Sequence, residues 1–193
     1  PTRLLTALLL AALGAATTPA SASVITYETR SITGSVDSSD YAQSWANQGS
    51  PVSSSSLSDF NGTTPGNNAF AHLSIGFTAT SPVNAIFQIA PDAGYGGALY
   101  LDGLLVDKKA YDLWWNYDWN ATAALLTTPS LALASGQHVL EGYWAEGCCS
   151  GGQGGRFSID SGESWQSLTV QKLDTLAVPE PGDMFGGHTA TLV

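Results

Sequence analysis

The chain has 193 residues, in which 16 acidic side chains face only 6 basic ones, for a formal net charge of −10. That balance excludes nucleic acid and anionic membrane surfaces as partners, since both demand clustered Lys or Arg. The length suits one domain, with 6 Trp, 7 Tyr and 6 Phe to fill a core.

The first residues, PTRLLTALLLAALGAATTPASAS, carry one charge, Arg3, then an apolar run from Leu4 to Leu13 and small residues at Ala20-Ser21-Ala22. This is the layout of a secretory signal peptide. The apolar run is too short for a membrane span, which needs about 20 residues. Residues 1–22 are therefore expected to be a cleaved leader, with the mature chain starting near Ser23.

Ser35 to Asn68 is rich in Ser, Asn, Gly and Asp and reads as a long surface excursion with one helical turn near Tyr41 to Ala46. Strand signals follow. Ala71, Leu73, Ile75 and Phe77 share one face of a period-two pattern, and Val83, Ala85, Phe87 and Ile89 do the same. Two apolar runs flank Asp102-Gly103, a two-residue hairpin signature. LALASGQHVLEGYWAE gives a strand, a Ser-Gly turn and a second strand from His138, and a further hairpin turns at Ser161-Gly162. Short strands with regular turns and no capped helical period imply an all-β, antiparallel sandwich over residues 23–177.

The densest aromatic stretch is YDLWWNYDWN, with Trp114, Trp115, Tyr117 and Trp119 interleaved with Asn116 and Asp118. As a strand it would put Trp115, Tyr117 and Trp119 on one face and Asn116, Asp118 and Asn120 on the other. Rings beside carboxamides and carboxylates suit a sugar, which needs an apolar face to stack on and acceptors for its hydroxyls. The competing reading is that these rings fill the core.

Cys148 and Cys149 are the only cysteines, and they are adjacent. A disulfide stabilises mainly by closing a loop, and neighbours close almost none. Their Cα atoms also lie about 3.8 Å apart, below the usual disulfide range of roughly 4.4–6.8 Å. A fold staple is excluded. In an oxidising compartment the leading expectation is a vicinal ring stiffening a glycine-flanked surface turn; interchain pairing and free thiols are the alternatives.

GGALYLDGLLV followed by LALASGQHVLEGYW resembles the core of the protective-antigen-type β-sandwich, a jelly-roll-like module of toxins, glycosidases and yeast flocculin adhesins. The resemblance implies that these segments close two hairpins of one sheet. CCSG, together with Val178, Pro179, Glu180 and Pro181, resembles exported PEP-CTERM proteins marked by Cys-Cys-x-Gly. That likeness implies export to the outer surface of a Gram-negative bacterium, with the export and sorting machinery as transient partners. Residues 178–193 would be a linker and an incomplete sorting tail, since neither an apolar span nor an Arg cluster follows Pro181. Sugar-binding flocculins hold calcium on two successive aspartates before the Leu-Tyr-x-Asp-Gly strand. Here Asp92 stands alone and Gly96-Gly97 occupy that place, so the calcium site is either absent or rebuilt with other acids such as Asp112 or Asp118; calcium-dependent sugar binding is not carried over, and no other metal or cofactor is implied.

No nucleophile elbow, zinc-protease motif or phosphate loop is present, and His72, His138 and His188 are scattered. The expected function is non-catalytic: an exported or cell-surface protein associated with carbohydrate or exopolysaccharide. A purely structural matrix protein without a ligand, and a glycoside hydrolase accessory domain, are the alternatives.

Overall fold

The computed structural model describes residues 22–177. Most of the expected leader, the Val178–Pro181 motif and His188 lie outside the described residues. Two antiparallel sheets face each other. The chain runs through β1 (Val24–Ser31), a helical turn α1 (Tyr41–Ala46), β2 (Pro51–Leu57), β3 (Ala69–Ala79), β4 (Val83–Ala90), β5 (Gly97–Leu101) and β6 (Leu104–Lys109). It continues through β7 (Leu126–Thr127), β8 (Leu131–Leu133), β9 (Gly136–Glu146), β10 (Gly154–Ser158), β11 (Gln166–Ser167) and a last turn α2 (Val170–Leu173). The first sheet has the order β2-β1-β3-β9-β5-β6; the second runs β11-β10-β4-β7, with β8 also on β4.

The period-two segments do what their patterns require. Leu73, Ile75 and Phe77 of β3 meet Ala85, Phe87 and Ile89 of β4 in one inter-sheet core, joined by Leu140, Trp144 and Phe157. Burying a large apolar side chain contributes about 1.5–3 kcal/mol, so these alternating positions carry the association of the sheets. Asp102 and Gly103 both have positive φ, 50° and 79°, the twist that a two-residue hairpin needs. The β10–β11 hairpin turns where expected, through Ser161 and Gly162.

The second expected hairpin is corrected. β8 pairs with β4 in one sheet, whereas β9 pairs with β3 and β5 in the other. The Ser135-Gly136 bend is thus a crossover between layers, taken with Gly136 at φ 140°. The Ser-rich excursion is also more regular than its composition suggests: β2 lies antiparallel on β1 as an edge strand.

Both outer sheet faces are partly covered. α1 is capped by Asp40, whose carboxylate accepts from Gln43 N, and it lays Tyr41 and Trp45 on Phe70, Ala98, Tyr143 and Ala145. Tyr41 Oη donates to the carbonyls of Tyr95 (2.6 Å) and Lys109 (3.2 Å), fixing the chain where β5 begins. Burial pushes that phenol up to about 12. On the second sheet, the segment between β6 and β7 folds back so that Trp115 and Leu125 cover Ala90.

Candidate functional site

Three connections meet at one end of the sandwich: the β4–β5 loop, the segment after β6 and the turn after β9. Ala93 and Leu113 exchange backbone hydrogen bonds (3.3 and 3.1 Å), and Tyr95 N donates to the Ala145 carbonyl at 3.0 Å. Gly94 N donates to Glu146 Oε2 at 2.8 Å. Gly151 N donates to Asp92 Oδ2. These bonds hold a cleft of about 360 Å³ lined by Asp92, Tyr95, Asp112, Trp114, Glu146, Cys148 and Cys149.

The cleft combines exposed rings with desolvated acids. Tyr95 and Trp114 are 50% and 65% exposed, while Asp92 and Glu146 are 3% and 4% exposed. Desolvation raises the Asp92 carboxyl; the Gly151 N–H pulls against it and the Asp112 charge adds to it. Desolvation likewise raises Glu146, opposed by the Gly94 N–H and reinforced by Asp92 and Asp112. The result is a row of acceptors, two of which hold a proton more readily than ordinary carboxylates, beside two ring faces.

The aromatic stretch is a loop, which corrects its reading as a strand. Only Leu113 makes a bridge, to Ala93. The backbone then turns through Tyr117 at φ 67°, and Asp118 Oδ1 accepts from Asn120 N at 2.9 Å, closing a local turn. Trp115 is buried with Ala90 and Leu125, and a Cβ on Gly154 would lie 3.2 Å from its ring, so it belongs to the core cover. Trp119 is half-buried, with its ring 4.8 Å from that of Trp115. Tyr117 is 68% exposed with its ring 4.9 Å from Trp115, and Asn116 and Asp118 are exposed. Of the six expected ligand-binding residues, Trp114 alone lines the cleft.

Cys148 and Cys149 are free, exposed thiols in the structure, so the vicinal ring expected from the sequence is not formed in it. The turn still has the anticipated tight geometry, with Cys149 at φ 68°. A hydrogen bond with Cys149 is the main cause of a raised Cys148 pKa, with the Cys149 charge, desolvation, and the Glu146 and Asp112 charges also contributing.

Tyr95 and Glu146 were missed from the sequence. Glu146 had a signal, because it falls in phase with the core-facing Leu140 and Trp144 of β9. An acid at a core register position is costly unless it is held by donors, and here the Gly94 N–H holds it.

The donor set does not fit calcium, which takes six to eight oxygen ligands. Asp92 and Glu146 each commit a carboxylate oxygen to a backbone N–H, and no cluster of metal-binding side chains exists among the described residues. At Gly96 a Cβ would lie 2.2 Å from the Lys109 carbonyl oxygen, and at Gly97 it would lie 2.7 Å from the Tyr143 carbonyl oxygen. No aspartate pair could stand there without moving backbone.

No protein-family model matches the chain, and no curated protein sequence matches it. Among solved structures, the PA14 domain of the MpAFP antifreeze protein superposes with a TM-score of 0.57 at 12% identity, covering 82% of this chain and 94% of that one. The fold is that of the PA14 β-sandwich. A PA14 sugar-binding domain from an RTX adhesin gives 0.55 at 12% identity, over 78% of this chain and 97% of the other. The A domain of epithelial adhesin 6 from Candida glabrata, solved with Galβ1-3GlcNAc, gives 0.52 at 9% identity, over 80% and 87%.

Proposed function

We propose that this chain is an exported, non-catalytic PA14-type module of the cell surface that binds carbohydrate in the cleft between Trp114, Tyr95 and the three carboxylates. The observation that carries this reading is the pairing of two exposed rings with Asp92, Asp112 and Glu146 in one cleft. A sugar ring stacks its C–H face on an indole or phenol and donates its hydroxyls to carboxylate oxygens. Two fold neighbours support the reading, one titled a sugar-binding domain and one solved with a disaccharide. A non-catalytic role rests on the two neighbours titled as adhesins. Export and surface sorting rest on the leader-like residues 1–22 and on Cys-Cys-x-Gly with Val178–Pro181.

The test is a glycan array, read beside thermal melts, on the mature protein and on Trp114→Ala, Tyr95→Ala and Trp115→Ala. Trp114 and Tyr95 are exposed, so their loss should weaken glycan binding and leave the melting temperature nearly unchanged. Trp115 is core cover, and its loss should cost about 3–5 kcal/mol of stability. A wild-type protein that binds no glycan would leave the ligand-free matrix role.

A further inference from the structure

A second site, outside the cleft, lies on the outer face of the second sheet. Arg156 of β10 stands opposite Gln88 of β4, and its Nε donates to Gln88 Oε1 at 2.7 Å. Its guanidinium carbon lies 4.1 Å from the centroid of the Trp165 ring and 4.6 Å from that of Trp119. One guanidinium is thus held between two indoles, with Nε spent on the protein.

The far edge of the fork has no such use. Arg156 Nη1 and Nη2 have no acceptor among the described residues, and the ion pairs there involve only His72 and His138. Three other cations are engaged at their heads: Arg30 Nη1 donates to the Trp45 carbonyl, Lys108 to that of Ser39 and Lys109 to those of Thr122 and Leu125. Arg156 is therefore an aromatic-walled cation without an anion, in a chain with 16 acids to choose from. Desolvation by its walls lowers its pKa, so an incoming anion would be attracted through less screening than on an open surface.

We propose that Arg156, Trp119 and Trp165 form a subsite for a carboxylate-bearing sugar unit, a uronate within a polysaccharide. The carboxylate meets the parallel N–H groups at the Nη1/Nη2 edge, which a planar fork binds in two places and a lysine cannot. The sugar ring lies along the exposed edges of the two indoles. The inference of a sugar, as opposed to any other carboxylate, rests on the function proposed above. The anion preference rests on Arg156 alone.

The test uses tri-galacturonate and its methyl ester, which keeps the shape and removes the charge, titrated calorimetrically into the mature protein. The acid should bind about tenfold more tightly than the ester, as expected for a charge-assisted hydrogen-bonded pair. The preference should shrink when salt is raised from about 0.05 to about 0.5 M. Arg156→Gln should abolish the preference and Arg156→Lys should lose most of it, in proteins whose circular dichroism and melting temperature show them folded. In NMR spectra, the Trp119 and Trp165 indole N–H signals should move with the acid. Equal binding of acid and ester, absence of binding by either, or a preference that survives Arg156→Gln would overturn the subsite. Equally tight binding of polyglutamate would overturn the sugar assignment. The result is read as a ratio between two probes, so failure of the cleft to bind neutral glycans leaves it intact.

Discussion

Gly97 lies against Trp144 across the β5–β9 pairing. A Cβ on Gly97 would come within 2.7 Å of both the Trp144 Cβ and the Tyr143 carbonyl oxygen. The buried indole of Trp144 contacts Tyr27 and Phe60 in the middle of the inter-sheet core, so it has no room to retreat. The missing side chain at Gly97 sets how closely β5 can approach β9, and so positions the Tyr95 loop at the cleft.

Gly97→Ala should therefore destabilise the protein by about 1–3 kcal/mol, the usual cost of overpacking a dense core. Gly103→Ala makes a useful contrast, because a Cβ there meets nothing within 4 Å while φ is 79°. Its cost should come from backbone conformation alone, about 1 kcal/mol. Denaturant unfolding of both variants checks this, and a Gly97→Ala protein as stable as the wild type would show that β5 can slide.

The inner faces of β3 and β4 were legible because Leu73, Ile75 and Phe77, and Ala85, Phe87 and Ile89, alternate without interruption and share one core. The β5–β6 hairpin was legible because Asp102-Gly103 has few other uses. β2 was hidden, since a run of serines on an edge strand has no apolar face to announce it; its strand character comes from β1, with Thr29 and Ser53 hydroxyls 2.7 Å apart. The aromatic loop was misread for the opposite reason. Trp115, Tyr117 and Trp119 alternate as a strand would, but their rings meet because the chain turns through Tyr117 and Asp118. The cleft draws Asp92 from the β4–β5 loop, Trp114 from the segment after β6 and Glu146 from the end of β9, and the β9–β5 pairing, the Ala93–Leu113 bridge and the Gly94–Glu146 bond bring them together.

The paired thiols yield a kinetic prediction. The thiolate is the nucleophile, and the hydrogen bond with Cys149 holds Cys148 in its neutral form above the ordinary value of 9.0. Cys148 should alkylate with iodoacetamide more slowly than free cysteine near neutral pH, and Cys149→Ala should speed it by removing the first cause of the shift. Mass spectrometry of the peptide over time gives both rates. A peptide that resists alkylation until reductant is added would reveal a ring in place of the free pair.

The two buried acids of the cleft make stability depend on pH with a definite sign. Asp92 and Glu146 are raised above their ordinary values of 3.8 and 4.5, so in that window the folded protein binds more protons than the unfolded chain. Stability contributed by the neutral carboxyls is then lost as pH rises through their folded values. Asp160 has the opposite sign. Hydrogen bonds from Ser158 and Ser164 hold it down to about 2, so its contribution is present above 3.8 and is lost only as pH falls toward 2. His138 is raised above 6.5, because the Ala134 carbonyl and Asp102 outweigh its desolvation, and below about pH 6 it stays largely charged in both states. Thermal melts between about pH 4.5 and about pH 6 should therefore show the melting temperature falling as pH rises, by the action of the two cleft acids. Glu146→Gln, which keeps an acceptor for Gly94 N–H, should flatten that slope. Asp92→Asn should flatten it too, because it removes one titrating group and also a charge that helps to raise Glu146. A slope unchanged in both variants would mean that the cleft acids titrate as solvated carboxylates do.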